Sequence, residues 1–413
     1  MKRLLHDWPQ AIAHVDADCF YVSCELTRRP GLVGRPVAVM SSQDACIVAK
    51  SYAAKARGIT TGMPVWEAKR RLPGLELLPA DFRFYGLMSR RMFQVLSRFS
   101  PVIERYSIDE CFMDMQGLRG LFRCGYAELA RRMRRAVNEE LGITVSVGIS
   151  VNKLLAKMAS SSNKPDGSTI VPGRRLEAFL AKQNCAQVPG IGAKRASLLC
   201  KFDLHTARDL ACADMRLVRR LLGKAGLDLW RELNGDCAFP LTTGERLPKS
   251  MARTASLGRR TRKRKDVAQA LAYHAFRLCM DLQARELVAR RLRVSIRLGN
   301  FEHVHVDVPL PGETADYRHL IRAAMQGLHA LWRPDTEAGG CGLIALRLDW
   351  ANSAQQRLFA EHEEQLLPLW QAMAHINRRY GRGTILPAAA AEHASATGAQ
   401  PRFRYPLLRA GPA

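Results

Sequence analysis

Three carboxylates carry the chemical possibilities of this sequence. Asp16 ends the apolar run AIAHVDAD, Asp109 and Glu110 are adjacent within YSIDECFMD, and Asp18 is a near neighbour of the first. Acidic groups gathered in this way suit phosphoryl transfer, which asks little covalent chemistry of a protein and depends on positioning and on cations that neutralise developing charge. Two Mg²⁺ ions about 4 Å apart need shared oxygen ligands from carboxylates, phosphates, water and sometimes a backbone carbonyl. Taken alone, an Asp-Glu pair in a hairpin turn reads as solvated decoration. The independent strand-end Asp16 changes that reading, because three carboxylates in one place are costly without metal.

What must bring them together is the order of the elements. AIAHVDAD reads as a strand, DFRFYGLMSRRMFQVLSRF as a helix, PVIERYSIDECFMDM as two short strands about a tight turn, YAELARRMRRAVNEELG as a helix and ITVSVGIS as an alternating strand. This β-α-β-β-α-β order is the split βαβ pattern of a ferredoxin-like sheet, in which the first strand lies beside the central hairpin. Asp16 is therefore expected to face Asp109 and Glu110. The turn-rich stretch from about 20 to 80 reads as a subdomain inserted over that edge. Residues 175–238 form a run of short helices, a mixed linker follows, and from about residue 250 a second β-α-β-β-α-β order appears, beginning with SMARTASLG and the helix VAQALAYHAFRLCMDLQAREL. The fold class is α+β, with one architecture used twice. The Ala-rich tail beyond about residue 387 is low in complexity and is expected to be mobile.

Several segments offer donors for phosphate. In SYAAKARG, Tyr52 and Lys55 are three apart and share a helix face, with Arg57 nearby; Lys164 in NKPDG lies in a loop beyond the fourth strand. An ordinary amphipathic helix and a plain turn lysine are the competing readings. VPGIGAK is more specific. Gly190 and Gly192 flank an apolar residue and open a helix, the form of a helix-hairpin-helix turn whose backbone N–H groups grip a DNA phosphate, with Lys194 and Arg195 following; a glycine-punctuated turn is the alternative. Residues 251–300 hold 13 Lys or Arg against 3 acids, concentrated in RRTRKRK (Arg259, Arg260, Arg262, Lys263 and their neighbours) and in ARRLRVSIR. Such a run makes binding salt-dependent and tolerant of sequence, and it also matches a nuclear-localisation signal if the host is eukaryotic.

Composition agrees with a polyanionic partner. The formal charge is +25, from 63 basic and 38 acidic residues, far beyond what solubility needs; nucleic acid leads and an anionic membrane surface is second. No apolar run is long enough to span a membrane, and the N-terminus lacks the pattern of a secretory leader. Eleven scattered cysteines with no CxxC spacing read as reduced thiols in cytoplasm and not as a zinc site.

With these residues in place, the chain resembles the Y-family DNA polymerases, in particular bacterial DNA polymerase IV (DinB) and the catalytic subunit of polymerase V (UmuC). The resemblance runs through HVDADCFYVSCE, GRPVAV, SYAAKARGITTGMP, YSIDECFMD, VSVGISVNKLLAKMASSSNKPDG, VPGIG and NRRYGRGT, sampling residues 14 to about 385. It implies a right hand: a palm (1–19 and 81–174), inserted fingers (20–80), a thumb (175–238), a linker (239–249), a little finger (250–350), an extension (351–386) and a tail (387–413). Asp16, Asp109 and Glu110 match the family's metal carboxylates, and Ala17 matches the residue whose backbone carbonyl joins them around two Mg²⁺ ions. Tyr21 falls at the steric gate against a ribose 2′-OH. Tyr52, Lys55 and Lys164 fall where the incoming triphosphate binds, Lys55 replacing the arginine of polymerase IV relatives with the lysine of UmuC. Cys46, Val48 and Gly62 fall over the nascent base pair, where small residues leave room for lesions.

Near the end, QQRLF resembles the peptide by which these enzymes dock on a sliding clamp, with Gln355, Leu358 and Phe359 as its contacts; a surface turn entering the last helix is the alternative. The expectation is a template-directed, low-fidelity translesion DNA polymerase. Its partners are primer-template DNA, deoxynucleoside triphosphates and the clamp. It is expected to be monomeric in bacterial cytoplasm at the nucleoid, with a need for accessory subunits left open. Two other readings use parts of the same pattern. One is a non-catalytic DNA- and clamp-binding relative, which loss of metal ligands would mark. The other is a nucleotidyl cyclase, which has no need of a helix-hairpin-helix or a basic C-terminal domain.

Overall fold

A computed structural model describes residues 7–41, 46–244, 247–353, 367–381 and 383–391. These fall into two compact units that divide after Gly244.

In the first unit the apolar N-terminal run forms β1 (Ile12–Ala17). The inserted stretch contributes β2 (Val37–Met40), β3 (Ile47–Lys50) and β4 (Glu76–Pro79), a separate sheet of order β3-β2-β4 with its own small core of Ala38, Ile47, Ala54, Ile59 and Ala68. The chain then supplies β5 (Ile103–Arg105), β6 (Glu110–Asp114), β7 (Val145–Ser150) and β8 (Ser168–Ile170). With β1 they make a five-stranded sheet of order β5-β6-β1-β7-β8. The first four of these strands have the ferredoxin-like order, so β1 lies between β6 and β7 as expected.

Strand alternation divides the sheet into two faces. Ala13, Val15 and Ala17 of β1, Cys111 and Met113 of β6, and Val145, Val147 and Ile149 of β7 pack with Met88, Met92, Leu129 and Met133. Those partners come from the helices Phe82–Leu96 and Tyr126–Leu141, whose apolar stripes cover that face. Asp81 caps the first of these helices by accepting from the Phe84 N–H at 3.0 Å, and Gly142 in a left-handed conformation ends the second.

The opposite face is covered by a third helix, Lys153–Ser162, in a segment where no element is expected from sequence. Asn152 caps it by accepting from the Leu155 N–H at 3.0 Å, and the buried Glu232 carboxylate accepts from the Leu154 N–H at 3.1 Å. It lies so close to β7 that a Cβ on Gly148 would stand 2.1 Å from the Ala156 carbonyl oxygen and 2.2 Å from the Ser160 nitrogen. Residues 176–233 are the expected run of short helices, ending in Met215–Leu233, which breaks at Gly223.

The second unit contains β9 (Ser250–Thr261), β10 (Leu287–Leu298), β11 (His303–Thr314) and β12 (Ala338–Trp350) in one antiparallel sheet of order β11-β10-β12-β9. The helices Arg264–Ala284 and Tyr317–Leu331 share a core with one face of it. The element order β-α-β-β-α-β thus recurs, but the strand order does not. In the first sheet the first strand lies between the third and fourth; here the fourth lies between the second and first. Strand β9 also runs through Arg259 and Arg260, three residues past the expected end, because pairing to β12 continues to Thr261 opposite Ala338.

Gly148 has no slack, since the atoms it faces are backbone. Gly148→Ala is expected to destabilise the first unit by about 2–3 kcal/mol through forced separation of helix and sheet, read from denaturant unfolding.

Candidate active site

Strands β1 and β6 pair antiparallel with Asp16 opposite Glu110 and His14 opposite Phe112. His14, Asp16, Glu110 and Phe112 therefore project from the face that carries the helix Lys153–Ser162. Asp109 sits in the turn just before β6, and its carbonyl accepts from the Ala17 N–H at 2.9 Å, so the turn is stitched to the end of β1. The two separated acidic segments are brought together as expected.

Among the described residues, His14, Asp16 and Glu110 each offer a ligand atom, and these atoms lie within 4.8 Å of one another. This set differs from the expected trio: His14 enters it and the Asp109 carboxylate does not. Asp109 is nevertheless close enough to feel both neighbours. Burial first, and then the charges of Asp16 and Glu110, push its pKa up, against a bond from Ser107.

The site balances its negative charge with lysines. Lys164 pairs with Asp16 and Lys157 pairs with Glu110. His14 is fully buried; its Nε2 lies 3.0 Å from Glu110 Oε2 and its Nδ1 lies 2.7 Å from Ser160 Oγ. Burial lowers the His14 pKa more than its acidic neighbours raise it, so the ring is neutral at neutral pH. Ionised Glu110 can only accept, so the ring's single proton belongs on Nε2; Nδ1 faces the Ser160 hydroxyl, which also lies 2.9 Å from the Lys157 carbonyl oxygen. With both ring nitrogens engaged, His14 reads as the residue that orients Glu110. Burial works against ionised Glu110, but the bonds from His14 and Lys157 hold its carboxyl down at about 2. Hard divalent cations prefer oxygen, and the donors that fit one here are the carboxylates of Asp16 and Glu110 with Asp109 adjoining.

His14, Lys157 and Ser160 were not singled out from sequence. The signal was present in part. His14 is two residues before Asp16 and so on its face of the strand, and NKLLAKMASSS carries an Asn cap followed by Leu154, Leu155 and Met158 at helical spacing.

Comparison with known proteins bears on what this arrangement is. Residues 15–161 match the impB/mucB/samB family, and residues 248–358 match the C-terminal domain of the same family. DNA polymerase IV 1 of Bacillus subtilis is 32% identical over 386 residues, spanning 92% of each chain. DNA polymerase IV of Halorhodospira halophila is 33% identical over 328 residues, 78% of this chain and 92% of that one. The chain belongs to the Y family of DNA polymerases, in its DNA polymerase IV branch. Solved structures show the same fold. A Y-family DNA polymerase chimera superposes with a TM-score of 0.71 at 23% identity, covering 82% of this chain and 98% of that one. DinB from Sulfolobus solfataricus gives 0.56 at 21%, covering 81% and 98%.

The other residues expected of a Y-family site lie in segments beyond β1 and β6. Tyr21 stacks on Tyr85 at 4.5 Å between ring centroids and meets the edge of Phe82 at 5.7 Å. Tyr85 is in turn pinned by its hydroxyl, which donates to the buried Glu25 carboxylate at 2.8 Å. Burial and then the Asp109 charge raise the Tyr21 pKa, so the ring borders the acidic cluster. The Tyr52 hydroxyl lies 3.4 Å from Asp18 Oδ1, and the Lys55 ammonium lies 5.9 Å from the Tyr52 ring centroid. Cys46, Val48 and Gly62 come together: Gly62, at φ +85°, donates its N–H to the Ile47 carbonyl between the other two.

Gly190 and Gly192 are exposed around the buried Ile191, with Lys194 exposed on the following helix. Gly190 has φ +94° and receives Arg195 Nη1 on its carbonyl at 2.9 Å. Arg259, Arg260, Arg262 and Lys263 are exposed at the end of β9 and the turn after it; Arg260 and Arg262 lie 3.6 and 3.5 Å from Glu337. Gln355, Leu358 and Phe359 lie outside the described residues.

The Glu110 shift makes a stability prediction for the metal-free protein. Its folded pKa of about 2 lies below the ordinary 4.5, so its contribution is present above the ordinary value and is lost as pH falls toward the folded one. Lys157→Met removes one cause of the shift. The variant should be less stable by about 1–2 kcal/mol near neutral pH in denaturant unfolding, and the gap should close as pH falls through the range between those two values.

Proposed function

We propose that this DNA polymerase adds deoxynucleotides to a primer 3′ end by two-Mg²⁺ phosphoryl transfer, in translesion synthesis. The observation that carries the reading is the register pair of Asp16 and Glu110, with Asp109 in the adjoining turn. Asp16, Asp109, Glu110 and the Ala17 carbonyl are the ligands in this reading. When bound, the ions supply charge neutralisation at the attacking and leaving oxygens. Tyr52, Lys55 and Lys164 bind the triphosphate, Lys55 giving a point charge where a guanidinium would give a fork. Tyr21 excludes a ribose 2′-OH, and its rigid backing by Tyr85 and Phe82 supports that role, because a gate that yields cannot discriminate.

In the same reading the five-stranded sheet and its helices (1–19 and 81–174) are the palm, 20–80 the fingers, 175–238 the thumb and 250–350 the little finger. Gly190, Gly192 and Lys194 hold a duplex phosphate through the hairpin, and Arg259, Arg260, Arg262 and Lys263 add sequence-independent contacts. Residues 351–386 dock on a sliding clamp through Gln355, Leu358 and Phe359. The enzyme works as a monomer in the bacterial cytoplasm, at the nucleoid; no helix among the described residues is long and apolar enough to cross a membrane.

Primer extension with Mg²⁺ tests the chemistry. Asp109→Ala is expected to lower extension by about a thousandfold or more while DNA binding is retained; native protein that does not extend a primer would end this reading. Tyr21→Ala should cut discrimination against ribonucleotides by about a hundredfold with deoxynucleotide use comparatively intact, measured as the ratio of kcat/KM values. An unchanged ratio would remove the gate assignment.

A further inference from the structure

Asp18 is a carboxylate that the chemistry above does not use. It is only 2% exposed and stands two residues beyond Asp16. Three donors from three separate segments converge on it. Ser146 Oγ, on β7, donates to Oδ1 at 2.8 Å; the Asp166 backbone N–H donates to Oδ2 at 2.8 Å; the Tyr52 hydroxyl is the longest contact, at 3.4 Å from Oδ1. Bonds to a buried charge are among the strong ones, and losing a donor leaves the charge exposed to its full desolvation cost. The first donor belongs to the sheet itself. The other two belong to the segments that carry the triphosphate-binding candidates.

The loop of residues 163–167 is shaped around this bond. Asp166 has φ +49°, a left-handed conformation that costs a non-glycine residue energy, and from it the N–H is delivered to Asp18. Arg134 holds the Asp166 carboxylate at 2.9 Å. The loop is also closed on itself: a Cβ on Gly167 would stand 1.6 Å from the Asn163 carbonyl oxygen. Lys164 leaves this loop to pair with Asp16.

We propose that Asp18 is a positioning residue for the incoming triphosphate. One carboxylate ties the loop of Lys164 and the hydroxyl of Tyr52 to the end of the strand that bears Asp16. The spacing between triphosphate contacts and metal carboxylates is thereby set by a residue that acts only through others. The proposal rests on the polymerase reading, in which Lys164 and Tyr52 contact the triphosphate.

Asp18→Asn keeps the volume but replaces one acceptor oxygen with an NH₂ group that faces a donor. In steady-state primer extension with Mg²⁺ it is expected to raise the deoxynucleotide KM about tenfold, with kcat changed far less and affinity for primer-template DNA unchanged. Lys164→Ala should also raise KM, and adding Asp18→Asn to it should cost less than in the native background, because the loop that Asp18 tethers then no longer carries the lysine, leaving only the Tyr52 tether to lose. Amide hydrogen exchange supplies a readout independent of turnover: Asp166 N–H should lose its protection in Asp18→Asn while the amides of β1 and β7 keep theirs. If Asp18→Asn does not fold, Ser146→Ala, which removes one donor and keeps the charge, should raise KM in the same direction by a smaller factor.

An unchanged KM, equal factors in both backgrounds, or unaltered exchange at Asp166 would each overturn the role of Asp18. Extension by the native chain alongside any of these results leaves the polymerase reading standing. Native protein that fails to extend a primer overturns that reading and this role with it.

Discussion

Everything at this site follows from holding like charges together on one strand register. Antiparallel pairing of β1 with β6 sets Asp16 beside Glu110 and leaves Asp109 at the turn, so that three carboxylates share a partly buried corner. Like charges at that distance repel, and the fold meets the repulsion with Lys164, Lys157 and a neutral His14 in place of bulk water. Asp16 and Glu110, with Asp109 adjoining, are oxygen donors of the kind hard divalent cations take.

The second constraint is how closely the helix Lys153–Ser162 approaches the sheet. Gly148 leaves out a Cβ that would meet the helix backbone, while Asn152 and Glu232 secure its first turn. From that position the helix delivers Lys157 to one carboxylate and Ser160 to the histidine that orients it. The apolar face of the sheet performs the complementary task. Its small residues on β1 let the long helices Phe82–Leu96 and Tyr126–Leu141 close down on a dense core, so the acidic strand has little freedom to move.

The other segments each bring together or expose residues expected of a Y-family polymerase. The inserted sheet brings Cys46, Val48 and Gly62 to one place, and the same helix that fills the core lends Tyr85 and Phe82 to the back of Tyr21. The helical segment exposes the backbone of Gly190 and Gly192 over a buried isoleucine. The second unit carries basic residues at the end of an edge strand whose pairing reaches Thr261.

The sequence by itself determined the element order, the apolar strand ending at Asp16, the hairpin with its Asp-Glu pair, and the basic character of the second unit. Periodicity, turn residues and charge are local properties, and they survive without coordinates. It could also be read, from the split βαβ pattern, that Asp16 and Glu110 would meet. Only the tertiary structure decided that His14 takes part, that Lys157 and Lys164 divide the two carboxylates between them, and that Asp18 gathers three segments. It also decided that the second sheet orders its strands differently from the first, with the fourth strand between the second and first, although the element order is shared. Those outcomes depend on contacts between residues 34 to 148 positions apart and on which side chain of an alternating strand faces a neighbouring helix. Such pairings are chosen by packing of the whole unit, where one glycine at position 148 determines whether a helix can approach at all, and no local pattern records that choice.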